Sequence, residues 1–160
     1  MSQPSPHPLG RWASRPLPEG RGDRRVRTGG AATDAVVAIV QRRGEFLFVK
    51  RSEACGAAVG YWTPVSGRIE AGESQEEALA REVLEEVELR VVATAKVGEL
   101  PILEGRFVLH YWTTEILGGD ARIASPEVAD LAWVAMAEMK GLQPHFDDDL
   151  RIIEGATRGG

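Results

Sequence analysis

The stretch GRIEAGESQEEALAREVLEEVEL, residues 67–89, constrains the fold of this chain more than any other segment. Ser74 is followed three residues later by Glu77, which is the pattern of a capping box at the start of a helix. The residues after Ser74 are strong helix formers, and no proline interrupts them. The sequence therefore predicts a helix that begins just after Ser74.

Charged and apolar residues separate around this predicted helix. At about 100° per residue, Glu82, Glu85 and Glu86 fall within an arc of about 100°. Leu84 and the other apolar residues fall on the remaining side, so we expect one acidic face and one core face. Most helices of this composition are solvated surface helices, although three carboxylates on one face also suit Mg²⁺ or Mn²⁺. The acidic face alone leaves both interpretations open.

The remainder of the chain predicts short strands and one further helix. Residues 34–51 give two apolar runs around a turn at Arg43 and Gly44, which is typical of a hairpin. Further strands are predicted over residues 61–63, 89–103, 106–117 and 131–135, and a second helix over residues 147–155. This order of elements indicates an α+β or layered α/β/α domain with a mixed β-sheet.

Charge and proline content divide the 160 residues into two parts. Residues 1–33 hold six arginines against two acidic residues, which gives them a net charge of +4. Since the whole chain has a net charge of −5, the remainder has a net charge of −9. We expect residues 1–33 to be a disordered, basic, Pro/Arg-rich tail and residues 34–156 to form one domain. An acidic domain is a poor partner for nucleic acid, so binding of nucleic acid is expected only through the tail.

Cysteine content and hydropathy indicate a soluble protein of a reducing compartment. Cys55 is the only cysteine, which excludes an internal disulfide and a cysteine-based zinc site. The longest apolar run, AVVAIV at residues 35–40, is far shorter than the roughly 20 residues that span a bilayer. We expect a cytoplasmic protein without a membrane partner.

Residues 67–89 resemble the signature of the Nudix hydrolase family (MutT-like), G-x(5)-E-x(7)-R-E-u-x-E-E-x-G-u, where u is aliphatic. The positions in register are Gly67, Glu73, Arg81, Glu82, Val83, Glu85, Glu86 and Leu89. At roughly 7% usage per residue, six literal matches arise by chance on the order of 10⁻⁷ times per window. Glu88 stands where the pattern has a glycine, which predicts either a left-handed glutamate at the helix exit or a differently built exit.

The resemblance implies a Nudix-like α/β/α sandwich over residues 34–156 that hydrolyses a pyrophosphate bond in a nucleoside diphosphate linked to another group. The metal site that it implies comprises Glu73, Glu82, Glu85, Glu86 and Gly67. Arg81 would orient a catalytic glutamate, Glu85 or Glu86. Mg²⁺ or Mn²⁺ would be the cofactor, because a divalent cation neutralises the diphosphate and lowers the pKa of water.

The general base stays open between Glu86 and an acid of a later loop, Glu127 or Asp130, since the family takes its base from either place. For the substrate, Arg51 and Arg68 could contact phosphates.

Tyr61, Phe107, Tyr111 or Trp112 could stack on a base, although such residues more often pack within strands. His110 could face either the core or the cleft. His145 stands near three aspartates at 147–149 and could suggest a second metal site. A capped helix and a surface histidine are the expected alternative there.

Two other functions compete with the hydrolase interpretation. A catalytically silent Nudix-like module that binds nucleotide or RNA would be expected to lack a metal carboxylate, whereas all of them are present. An enzyme that acts on the nucleotide ends of RNA could use the basic tail. Whether the chain forms a homodimer also stays open.

Overall fold

The computed structural model describes residues 32–158, which form eight strands and two helices. The strands are β1 (Thr33–Ile39), β2 (Gln41–Arg42), β3 (Glu45–Arg51), β4 (Trp62–Thr63), β5 (Val65–Arg68), β6 (Arg90–Ile102), β7 (Phe107–Gly118) and β8 (Val128–Ala135). The helices are α1 (Gln75–Val87) and α2 (Asp147–Arg158), and two 3-10 turns lie at Glu53–Cys55 and Met136–Gly141. The tail predicted over residues 1–33 lies outside the described residues except for its last two, and it stays a prediction.

The larger sheet is mixed, as the sequence predicted. Its strand order is β5-β1-β7-β6, with β1 antiparallel to β5 and parallel to β7. Strand β1 is buried from Ala35 to Ile39 on both faces, which explains why the run AVVAIV is apolar without alternation.

The smaller sheet is antiparallel and centred on β3. Strand β8 pairs with the whole of β3, whereas β2 and β4 pair only with its two ends. The predicted turn at Arg43 and Gly44 is confirmed, with φ angles of 52° and 81°. The predicted hairpin over residues 34–51 is wrong in its first strand, because β1 pairs within the larger sheet. Both edges of β1 are occupied by β5 and β7, so the short strand β2 forms the hairpin with β3 instead.

Two apolar clusters lie on opposite sides of β1. Val36 belongs to the cluster that includes Val83 and Val87 of α1. Its neighbour Val37 belongs to the cluster that includes Ile153 of α2. The sheets are therefore enclosed between the two helices, and the predicted α/β/α sandwich is confirmed.

Within residues 32–158, each helix is too short or too polar to cross a membrane.

Candidate active site

Helix α1 begins and ends as the sequence suggested. Ser74 Oγ accepts from the Glu77 N–H at 3.1 Å, and Glu77 Oε1 accepts from the Ser74 N–H at 3.4 Å. At the other end Glu88 adopts φ 56° and ψ 29°, and its N–H donates to the Leu84 carbonyl. The exit thus keeps the left-handed conformation typical of glycine, with a glutamate in it.

The buried side of α1 includes two carboxylates. Glu86 is 8% exposed and lies among the buried residues Ala78 and Val83, while the Glu82 side chain is 14% exposed. Leu84, which was expected in the core, is 47% exposed. The predicted separation is confirmed in part: Leu79, Val83 and Val87 are buried as expected, but the helix is rotated so that Glu82 and Glu86 also lie inward and Leu84 lies outward. Burying carboxylates is costly unless they are paired or bind a cation, so this orientation is typical of a site.

Glu82 lies directly against strand β5 at Gly67. A Cβ atom added at residue 67 would be 1.9 Å from Glu82 Cδ and 2.3 Å from its Oε1. Any side chain at this position would displace the carboxylate. The first glycine of the motif therefore provides the space that Glu82 occupies.

Arg81 gathers the acidic groups of the motif around one guanidinium. Its Nε donates to Glu73 Oε2 at 2.6 Å and its Nη2 to Glu73 Oε1 at 2.9 Å, which is a bidentate pair. Its Nη1 donates to Glu82 Oε1 at 3.0 Å and to Glu85 Oε2 at 3.3 Å. Arg81 thus contacts Glu85, one of the two glutamates that it was expected to orient, but the sequence did not identify Glu73 as its principal partner.

The Arg81–Glu73 pair fixes the loop before α1. Hydrogen bonds from Arg81 hold the pKa of Glu73 below its ordinary value, and Glu73 raises the pKa of Arg81. Glu73 Oε1 also accepts from the Glu70 N–H at 2.9 Å, and Arg81 Nη2 donates to the Arg68 carbonyl at 3.0 Å. Arg81 therefore ties the helix both to the loop and to the end of β5.

Glu86 and Glu127 line one small cleft, together with the buried Arg51. Its volume of about 10 Å³ is close to the least that holds one water molecule. Glu127, which comes from a later loop, therefore lies near helix α1, as the hypothesis that a loop acid is the general base requires. Asp130 is exposed on β8, and it does not line this cleft.

Three further residues with a hydroxyl or thiol side chain line the same cleft and were not predicted, namely Cys55, Thr63 and Ser66. Ser66 immediately precedes Gly67 on β5, so its place directly before the motif was the available signal. Cys55 lies beside Glu127 in the cleft, with its Sγ 3.2 Å from the Glu127 carbonyl oxygen, although the two residues are 72 positions apart in the sequence. Local sequence patterns do not predict a contact between residues so far apart.

The candidate substrate residues have different surroundings. Arg51 lines both the small cleft and a wider groove of about 570 Å³. The half-buried Arg68 contributes its carbonyl to Arg81. Tyr61 stacks on Phe146 with ring centroids 4.5 Å apart, so one face of its ring is already covered.

The other proposed stacking residues belong to the interior. Phe107 and Tyr111 are buried in the core, so the prediction that they could stack on a base is wrong. Trp112 packs against the core and donates from Nε1 to Gln75 Oε1 at 2.9 Å. His110 is buried, with Nε2 2.8 Å from Asp34 Oδ1, and it does not line the cleft.

The residues near α2 form a structural cluster. His145 is not the surface residue that was expected, because its side chain is only 8% exposed and its Nδ1 lies 2.7 Å from the Leu142 carbonyl. Asp149 is buried and accepts from the Tyr111 hydroxyl at 2.6 Å, so it does not act as a cap. Burial raises the pKa of Asp149 to about 6.

The donor set of α1 fits a hard divalent cation. Within residues 32–158, no three His, Cys, Asp or Glu side chains converge closely enough to enclose an ion, at α1 or near His145. At α1, Arg81 Nη1 bridges the oxygens of Glu82 and Glu85. Mg²⁺ usually takes only one or two carboxylates and keeps several waters, so full enclosure by protein is not required. The oxygen-only donors suit such an ion, and Gly67 leaves the room in which the Glu82 carboxylate lies.

Comparison with known proteins adds a family assignment to this geometry. The sequence profile of the NUDIX domain matches residues 31–154. A Bacillus subtilis protein named "Putative 8-oxo-dGTP diphosphatase" is 34% identical over 101 residues, which cover 63% of this chain and 64% of that protein. The Mycobacterium tuberculosis "Putative mutator protein MutT4" is 30% identical over 132 residues, which cover 79% of this chain and 47% of that protein. Both matches span less than two thirds of the relative's length.

Solved structures show the same fold. A MutT protein from Methanosarcina mazei Go1 superposes with a TM-score of 0.70 at 24% identity, covering 80% of this chain and 94% of that chain. At this identity the likeness concerns the fold alone.

Proposed function

Because the chain belongs to the Nudix family, we propose that it is a divalent-metal-dependent pyrophosphohydrolase. Its substrate would be a nucleoside diphosphate linked to another group, and the bond broken would be a phosphorus–oxygen bond of the pyrophosphate. The observation that carries the proposal is the inward placement of Glu82 and Glu86 on α1. A solvated surface helix would expose these carboxylates instead.

In this proposal Glu82, Glu85 and Glu86 would hold Mg²⁺ or Mn²⁺, and Glu73 and Gly67 would support that site. The ion, when bound, supplies Lewis-acid chemistry that neutralises the diphosphate and makes water more acidic. Gly67 leaves room for the Glu82 carboxylate.

Arg81 would act as a positioning residue in this site. Its bidentate pair with Glu73 orients the guanidinium, whose Nη1 then contacts Glu82 and Glu85. A guanidinium stays charged at all working pH values, so this arrangement does not depend on protonation.

The proton released by the attacking water would pass to a carboxylate of the small cleft. Glu86 and Glu127 both line it, and a base must lie within hydrogen-bond reach of the water, directly or through one other water. Because Glu127 lines the same cleft as Glu86, it is favoured as the base over Asp130, which is exposed on β8.

The substrate would enter from the wider groove beside Arg51. Its volume of about 570 Å³ is within the range of small-molecule sites, and Lys50 and Arg51 supply positive charge for phosphates. Relatives named for 8-oxo-dGTP make oxidised purine nucleotides the first candidates. A cytoplasmic location is part of the proposal, since Cys55 is a free thiol.

A substrate panel tests this function directly. The protein would be incubated with Mg²⁺ or Mn²⁺ and with 8-oxo-dGTP, ordinary nucleoside triphosphates, ADP-ribose, dinucleoside polyphosphates, NADH and sugar nucleotides. We expect at least one to yield a nucleoside monophosphate, and EDTA to abolish the reaction. Absence of hydrolysis across the panel, together with specific nucleotide binding, would favour the silent binding module instead.

A further inference from the structure

We propose that Glu88 is a positioning residue that acts through Arg122. It would hold residues 119–127 against the end of α1 and so set the place of Glu127 beside Glu86. This inference rests on the proposed function, in which the two acids of the cleft serve hydrolysis.

The first observation is the glutamate itself. Glu88 is left-handed, a conformation that disfavours residues with a side chain and that the family pattern assigns to glycine. Its side chain makes a contact that glycine could not make, because Oε2 lies 3.1 Å from Arg122 Nε. The unfavourable backbone conformation is therefore accompanied by a specific ion pair.

The second observation is that the partner segment caps the helix. The Arg122 N–H donates to the Val87 carbonyl at 2.9 Å, and the Ala124 N–H donates to the Glu86 carbonyl at 3.0 Å. These carbonyls belong to the last turn, whose C=O groups have no N–H donors within the helix. Glu86, a proposed metal ligand and candidate base, is thus bonded through its own backbone to the segment that Arg122 anchors.

The same segment packs closely at its beginning. A Cβ atom at Gly119 would lie 2.9 Å from the Glu88 carbonyl oxygen, and Gly119 has φ +93°. Only glycine suits this approach and this backbone conformation. Gly119 therefore allows the segment to lie directly against the backbone of Glu88 at the helix exit.

The far end of the segment delivers Glu127 to the cleft. The Glu127 carbonyl accepts from the Ser52 N–H at 2.9 Å, and its N–H donates to Ser125 Oγ at 3.2 Å. Only Ser125 and Pro126 separate Glu127 from Ala124, which is bonded to the helix. A shift of the capping residues would therefore be transmitted to Glu127 and alter its distance from Glu86.

The test removes the ion pair and preserves the fold. Glu88→Gln and Arg122→Gln are each expected to lower kcat by about tenfold, with KM changed less than twofold, because a misplaced catalytic group slows the chemical step. The double variant should be no slower than either single one, and the reversed pair Glu88→Arg with Arg122→Glu should recover most of the rate.

A matched control is the Asp148–Arg151 pair on α2. Its side chains are 53% and 68% exposed, against 52% and 66% for Glu88 and Arg122. Arg151→Gln is therefore expected to leave kcat unchanged. Equal losses from Arg151→Gln and Arg122→Gln would overturn the proposal, since any exposed pair would then have the same effect.

Glu88→Gly separates positioning from stability. Glycine adopts the left-handed conformation freely, so the Tm should rise by about 2 °C while kcat falls. A merely structural role would move stability and rate in the same direction.

Amide hydrogen exchange supplies a readout that does not need activity. Loss of the ion pair should raise the exchange rate of the Arg122 and Ala124 amides by about threefold or more, while exchange in α2 stays unchanged. Unchanged exchange at these amides overturns the proposal even if no substrate is found. Faster exchange with wild-type kcat would overturn the link to Glu127 and leave the proposed function intact.

Discussion

Replacement of Gly67 by alanine should disable the site with little effect on the fold. The added Cβ would lie 1.9 Å from Glu82 Cδ, so reaching an ordinary contact of 3.4 Å requires a shift of about 1.5 Å. Such a displacement removes Glu82 from its contact with Arg81 Nη1. Misplacement of about 1 Å can cost about 10²-fold in rate, or about 2.7 kcal/mol in the activation barrier.

The free energy of unfolding should change by less than about 1 kcal/mol. Arg81 keeps its bidentate pair with Glu73, and a Glu82 carboxylate that moves toward solvent regains hydration in place of its contact with Arg81. Gly67 is not left-handed, so alanine fits its backbone and reduces the entropy of the unfolded chain.

The assay compares Gly67→Ala with Gly155→Ala, the same substitution on helix α2. An added Cβ at Gly155 meets nothing within 4 Å, so this variant should keep wild-type activity and gain about 0.5–1 kcal/mol of stability. Both variants would be measured for kcat at saturating Mg²⁺ and for unfolding in urea. A Gly67→Ala protein with wild-type kcat would refute the role given to the placement of Glu82.

Three further outcomes are expected. Arg81→Lys should lower kcat about tenfold and let the pKa of Glu73 rise toward its ordinary value, since lysine cannot form the bidentate pair; NMR titration of the Glu73 carboxyl checks this. Asp149, whose pKa is raised from 3.8 to about 6, binds more protons folded than unfolded between those values. Its contribution to stability is therefore favourable at low pH and declines by about 3 kcal/mol in total as pH rises through 6. Asp149→Asn should remove this decline in urea unfolding series from pH 4 to 8, and an unchanged series would contradict the assignment. If Glu127 is the base, Glu127→Gln should lower kcat by about 10²-fold or more and Asp130→Asn should not; the opposite order would exclude Glu127.

Local sequence signals specified much of the site. The capping box at Ser74 and Glu77 set the start of α1, and the motif spacing placed Gly67, Arg81 and Glu82 in one region. These features depend on interactions within about 20 residues, which periodicity and capping rules describe well.

The rotation of α1 was not predictable in the same way. Angles around a helix give which residues share a face, but they do not give the direction of the sheet. Leu84 and Glu86 consequently exchanged their expected surroundings when α1 packed on β5 and β1. The contact of Cys55 with Glu127 and the stack of Tyr61 on Phe146 join distant parts of the chain, which local patterns do not encode.

The most direct test of the catalytic role of α1 is the Mg²⁺ dependence of hydrolysis by wild-type protein and Glu86→Gln, measured on the fastest substrate of the panel. The two proteins should have matching circular dichroism spectra, since glutamine preserves the shape of the side chain. We predict a rate that rises and saturates with Mg²⁺ in the wild type and is at least about 10²-fold lower in Glu86→Gln at every Mg²⁺ concentration. Equal rates in the two proteins, or a wild-type rate that EDTA leaves unchanged, would contradict the proposed metal-dependent mechanism.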